Sequence, residues 1–184
     1  MNYLEKADLV KTYAVIAYIA AHIAKEKTNM YNILKAIYLA DKAHMEKYGR
    51  FILNEDYEAW EKGPVPLKSY VAIKGCQSGE KAPDYIDSPF RMAQAGSNAQ
   101  NKEPVDIQHD GDIDLDLFSA SDLECLNQVI ASAANNDLGE EAHDDAWHKC
   151  FVKGKQRIPM ETLTILGTLQ NATELIELHQ NPHP

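Results

Sequence analysis

The stretch from Asn32 to Lys74, NILKAIYLADKAHMEKYGRFILNEDYEAWEKGPVPLKSYVAIK, constrains the fold more than any other part of this chain. Ile33, Leu34, Ile37 and Tyr38 recur at three- and four-residue steps, which predicts an amphipathic helix. That helix should stop at Gly49, because glycine takes the left-handed conformation that closes a helix without steric cost. Arg50 to Leu53 reads as extended and, with Glu58 to Trp60, predicts a small two-stranded ribbon. Gly63-Pro64-Val65-Pro66 reads as a rigid turn into another helix, since Pro64 fixes its own φ and restricts Gly63 before it.

The flanking segments extend a helical pattern. Val10, Tyr13, Ile16, Ala17, Ala20 and Ile23 place an apolar face on a helix over residues 5–26. The face is wider than one stripe, so this helix should be central. Thr28 is the expected N-cap of the next helix. Residues 75–103 are rich in Gly, Ser, Pro, Asn and Gln and read as a long surface loop. Val105 to Ile107 and Asp112 to Leu115 alternate in polarity and predict a second ribbon. Ser119 with Asp122 forms a capping-box pattern opening a helix to about Ala134. Leu138 to Phe151 reads as one further helix. Pro159 suits the first turn of a last helical stretch, Met160 to Leu178, which Gly167 and Asn171 would divide. The expected fold is therefore mainly α: one compact helical domain over residues 1–184, with one or two short β-ribbons.

Charge and cysteine usage narrow the function classes. With 18 basic and 28 acidic residues the formal net charge is −10, against the basic patches that phosphate neutralisation requires. Cys76, Cys125 and Cys150 are odd in number and far apart, which fits neither a disulfide framework nor a zinc knuckle and implies a reducing cytoplasm. The longest apolar run, Tyr13 to Ala21, is far short of the ~20 residues of a membrane span.

Several side-chain groupings invite chemistry. From Asp110 an EF-hand loop would need glycine at Leu115 and glutamate at Ser121; from Asp112 the same positions are Leu117 and Leu123. Neither register works, and the acidic run reads as one solvated strand face. His143-Asp144 resembles part of a helical metal phosphohydrolase, with His22 or His44 upstream, but no aspartate follows Asp145 to complete it. His143, His148 and Cys150 do not share a helical face, so no metal site is expected. His143 and Trp147 are four apart and read as a half-buried histidine packed on an indole. Lys35, Asp41 and Lys42 fit an exposed charged face, although Lys35 could lay its stem on the core and present its amine at a groove. Tyr38 belongs to the core by its spacing. Lys153-Gly154-Lys155-Gln156-Arg157 reads as a solvated basic loop. No nucleophile elbow, phosphate loop or dinucleotide fingerprint is present.

The linked order of motifs resembles the Panacea domain, the SocA-like antitoxin family. Lys35 to Asp41 looks like the family's lysine-bearing Leu-Tyr-x-Ala-Asp helix, with Leu34 where a glutamine usually precedes the lysine. Tyr48 to Arg50, Tyr57 to Ala59, and Gly63 to Val65 with Tyr70 look like its Tyr-Gly-Arg turn, extended segment and Gly-Pro-Val turn. Phe118 to Leu123 resembles its Leu-Ser-x-x-Asp helix start, and His143 with Trp147 its His-x-x-x-Trp pair. The resemblance covers roughly residues 5–150, with residues 76–104 as a longer polar insert.

It implies a cytoplasmic antitoxin that binds a toxin encoded beside it, without catalysis, cofactor or membrane. Some relatives instead act as adaptors that deliver a toxin to a protease, and many sit in phages or mobile elements. A hydrolase of unfamiliar type and a DNA-binding regulator are the competing readings. The implied contact surface lies near the second helix and the Gly-Pro-Val turn. Its candidates are Lys35, Tyr38, Asp41, Tyr48, Arg50, Trp60, Gly63, Pro64, Val65, His143 and Trp147, with Tyr48, Trp60 and Trp147 as aromatic anchors.

Overall fold

The computed structural model describes residues 3–93, 105–155 and 157–181. Among these the architecture is mainly α, with eight α-helices and two small antiparallel sheets. Helix α1 (Tyr3–His22) buries a continuous run from Thr12 to Ala20, as a central helix with apolar residues on more than one face should. Helix α2 (Met30–Tyr48) packs against α1 and is the hub of the fold. Its N-cap is Asn29, not Thr28: the Asn29 carboxamide accepts from the Asn32 amide, whereas Thr28 closes the short 3-10 turn Lys25–Lys27 before it. Gly49 ends α2 with φ 71°, the left-handed cap anticipated from its sequence.

The segment after α2 folds differently from its sequence reading. Arg50 to Leu53 is irregular, because Asp41 on α2 accepts the amides of Ile52 (2.9 Å) and Leu53 (3.0 Å) and so takes the donors a strand partner would use. Strand β1 (Tyr57–Trp60) instead pairs with β2 (Gly63–Pro66) across the two-residue turn Glu61-Lys62. The Gly-Pro-Val-Pro segment is thus a strand. Its two prolines are tolerated because β2 is the edge of a sheet ordered β2-β1-β5. Helix α3 (Leu67–Gln77) follows at once. Pro66 offers no capping side chain, and Glu55 does the work from a distance: its carboxylate accepts from the Lys68 amide, the Ser69 amide and the Ser69 hydroxyl.

Part of the expected polar loop is ordered structure. Cys76 and Gln77 belong to α3, and β3 (Phe90–Met92) pairs with β4 (Ile107–His109), burying Phe90 and Ile107 against α1. The second ribbon therefore joins β3 to β4; Asp112 to Leu115 is not a strand, and Asp114 caps a 3-10 turn at Leu115–Leu117. The acidic run is solvated but forms no strand. Residues 94–104 of the insert lie outside the described residues.

Helix α4 (Ala120–Ser132) opens on the expected capping box, with Ser119 and Asp122 bonding reciprocally to each other's amides. Asp122 also accepts from Lys11 (2.7 Å) and Arg50 (2.8 Å). Burial alone would raise its pKa, but these donors outweigh it and hold Asp122 down at about 2. The expected helix over residues 138–151 is two helices, α5 (Leu138–Ala142) and α6 (Asp145–Cys150). The break follows from Asp144, whose carboxylate accepts the Trp147 amide and starts α6 anew. Pro159 lies in β5 (Ile158–Pro159), which pairs with β1, rather than in a helix. Helices α7 (Thr162–Leu166) and α8 (Ala172–Gln180) follow, divided at Gly167 as expected. Leu166 of α7, Leu169 of the connection and Leu175 of α8 pack with Met45 beneath the end of α2.

Candidate functional site

Charged residues on α2 meet the β-hairpin in a way that helix periodicity cannot show. Lys35 is only 2 % exposed, so it is not part of an open charged face. Its stem lies in the core and its Nζ donates to the Pro64 carbonyl at 2.7 Å. Gly63 makes this fit possible. Its φ is 97°, and a Cβ there would stand 2.8 Å from the Lys35 Nζ and 3.4 Å from the His143 Cε1. Lys35, Gly63, Pro64 and His143, separated by more than a hundred residues in sequence, therefore converge.

His143 is the C-cap of α5. The Gly139 carbonyl, 2.6 Å from its Nδ1, can only accept, so Nδ1 carries a proton. The His143 ring meets Trp147 edge-on, with centroids 4.3 Å apart, as the four-residue spacing predicts although the helix is broken between them. Trp147 is buried. It stacks on Phe151 and donates its indole N–H to the Trp60 carbonyl at 2.9 Å. Tyr38 is also interior; its hydroxyl donates to Asp144, which Lys42 pairs with as well. Asp41, 1 % exposed, accepts from Tyr57 at 2.5 Å in addition to the two amides. Burial pushes its pKa up to about 7 against the pull of those donors. Tyr48 and Arg50 lie on another side of the molecule, bonded to Glu124 and Asp122 of α4.

Lys35 has no carboxylate partner among the described residues, and burial lowers its pKa to about 7. The sign of the linkage is fixed by that shift. Between pH ~7 and ~10.4 the unfolded chain holds a proton that the folded chain has released, so raising the pH through this window favours folding. Urea midpoints of the wild type should rise relative to those of Lys35→Met from pH ~7 to ~9.

A cleft of about 490 Å³ opens above Lys35, between α2, the hairpin turn and α3. Leu34, Val65 and Met30 form an apolar floor, and Trp60 and Tyr70 a wall in which the rings meet edge-on at 5.0 Å. Trp60 is half-buried, and its indole N–H is already bonded to Glu58. Arg157 lies over the Trp60 ring at 5.3 Å, and Lys62 and Lys74 complete the rim. Of the sequence-marked candidates, Lys35, Trp60 and Val65 line this cleft; Gly63, Pro64, His143 and Trp147 support it from behind. Tyr31, Lys62, Lys74 and Arg157 were not legible as site residues. Arg157 reads as part of a solvated loop, and only the antiparallel addition of β5 to β1 brings it to Trp60.

A larger hollow of 820 Å³ lies on the other side of α3, lined by Tyr13, Val71, Cys76, Ile86 and Phe90. It gathers none of the sequence-marked candidates. No group of three or more metal-ligating side chains is present among the described residues, and no described helix is long and apolar enough to cross a membrane.

A family model described as the antitoxin SocA-like Panacea domain matches residues 33–148, from the first turn of α2 into α6. The match spans more than half of the chain and includes every candidate from Lys35 to Trp147. No curated protein and no solved structure gives a significant match.

Proposed function

Because the chain belongs to the SocA-like antitoxin family built on the Panacea domain, we propose that it binds a toxin encoded beside it and holds that toxin inactive by protein–protein contact. The family match carries this reading, and the cleft beside Trp60 supports it. Stable interfaces concentrate their binding energy in a few aromatic and arginine residues set in a water-excluding pocket. Trp60, Tyr70 and Arg157 offer that combination on a rigid frame, since the hairpin is pinned from below by Lys35 and from behind by Trp147. Neutralisation needs no bond-making step. The chain would cover the toxin's working surface, and its buried polar groups would serve to hold the contact surface in shape.

Co-expression with the product of the adjacent reading frame tests this. The neighbour alone should arrest growth, the pair should grow as well as cells carrying neither gene, and a tagged copy of this chain should co-purify the neighbour. Undiminished toxicity together with no complex would refute the proposal.

A further inference from the structure

The rim of the Trp60 cleft is basic in a chain whose net charge is −10. Lys62 projects from the hairpin turn, Lys74 from α3, and Arg157 from the segment that leads into β5. Among the described residues neither Lys62 nor Arg157 has a carboxylate within ion-pairing distance, and Lys74 donates to the neutral Gln77 carboxamide. Arg157 holds its place with φ 58°, a left-handed conformation that costs a non-glycine residue energy. Such strain is commonly kept where a side chain must be aimed. Glu58, held by the Trp60 indole at 2.7 Å, and Glu61 at the lip are the two carboxylates beside these three cations, so the rim keeps an excess of positive charge. Beneath these cations the floor is apolar.

We infer that this cleft takes an acidic segment of the toxin, with one aliphatic side chain seated on Leu34, Val65 and Met30 and flanking carboxylates meeting Lys62, Lys74 and Arg157. The inference rests on the antitoxin reading and names the chemistry of its contact. Charge complementarity of this kind steers association and fixes register. A polynucleotide would also be drawn to cations beside an aromatic ring. The geometry favours the peptide: Arg157 covers the Trp60 ring and Tyr70 meets it edge-on, leaving less of the open stacking platform that bases use. The acidic balance of the whole chain would also repel a long polyanion but not a short acidic segment.

The test uses the full chain in two arms. In the first, the neighbour-encoded toxin is titrated against wild type, Lys62→Glu/Lys74→Glu, and the control Lys153→Glu/Lys155→Glu, at low and moderate salt. The cleft variant should bind about tenfold or more weakly with a flattened salt dependence, and the control should match wild type. Equal binding by the cleft variant and wild type overturns the inference while leaving the antitoxin reading intact. Absence of toxin binding by wild type overturns the antitoxin reading, and the second arm then decides the cleft by itself. There, the peptide Ac-Asp-Glu-Leu-Leu-Glu-Asp-NH2 at millimolar concentration should shift the Trp60 indole N–H resonance, identified by its loss in Trp60→Phe. The same peptide with lysine at its four acidic positions should not. A shift by both peptides or by neither, or a stronger response to a short oligothymidylate, overturns the inference.

Discussion

Asp41→Ala should lower the unfolding free energy by about 3–5 kcal/mol, close to the largest effect a single polar substitution produces. The carboxylate is 1 % exposed and accepts from three donors, the amides of Ile52 and Leu53 and the Tyr57 hydroxyl. Alanine would leave all three buried without acceptors, and each orphaned donor costs about 1–3 kcal/mol. The loss also has a geometric side. Those bonds fix the path from the end of α2 into β1, and β1 carries Trp60. Urea unfolding followed by circular dichroism should show the midpoint falling with little change in slope. A loss under 1 kcal/mol would mean that water reaches these donors.

Trp147→Ala should cost about 3–5 kcal/mol of stability, as expected for truncating a buried aromatic. Trp147 stacks on Phe151, meets His143 edge-on and packs with Tyr38, Tyr57 and Met160. Trp60→Ala should cost clearly less, because its ring is half-buried at the cleft wall, yet it should remove at least about 2 kcal/mol of toxin affinity if it is an interface hot spot. Thermal melts and toxin titrations of both variants separate the two roles. A Trp60→Ala protein that melts far below wild type while Trp147→Ala does not would reverse the assignment.

These expectations mark what the sequence could and could not disclose. Helix α2, its Gly49 cap and the capping box of α4 were readable because each is decided within a few residues by periodicity, backbone freedom and one side-chain bond. Capping logic misled at Thr28, since Asn29 is the cap of α2, and periodicity misled at Asp144. Asp144 sits inside an apolar period that runs from Leu138 to Phe151, and its local bond to the Trp147 amide wins over helix continuation. Asp41 reads as surface, and Lys35 as either surface or a core-laid stem, because nothing within one helix reveals that a later hairpin will cover them. The pairing of β3 with β4, and of β5 with β1, joins segments whose own alternation is too short to announce a strand. The cleft inherits this limit: Trp60 and Tyr70 of its wall lie in segments the sequence singles out, but the β1–β2 pairing that sets the wall is not legible there, and Arg157 arrives from a distant part of the chain.

The position of β1 carries a consequence for how the chain behaves as material. β1 is the middle strand, and its second partner, β5, comes from residues 158–159, beyond the family match at residues 33–148. The Met160 amide donates to the Tyr57 carbonyl at 2.8 Å and extends that cover by one more bond. A chain shortened after Cys150 would keep the family motif and lose the cover. The backbone groups of Tyr57, Glu58 and Ala59 would then form an open edge, the kind of template on which a second copy can add its own strand and begin to aggregate. The short β5 segment thus acts as a guard on the hairpin, keeping its inner strand from becoming a self-association element.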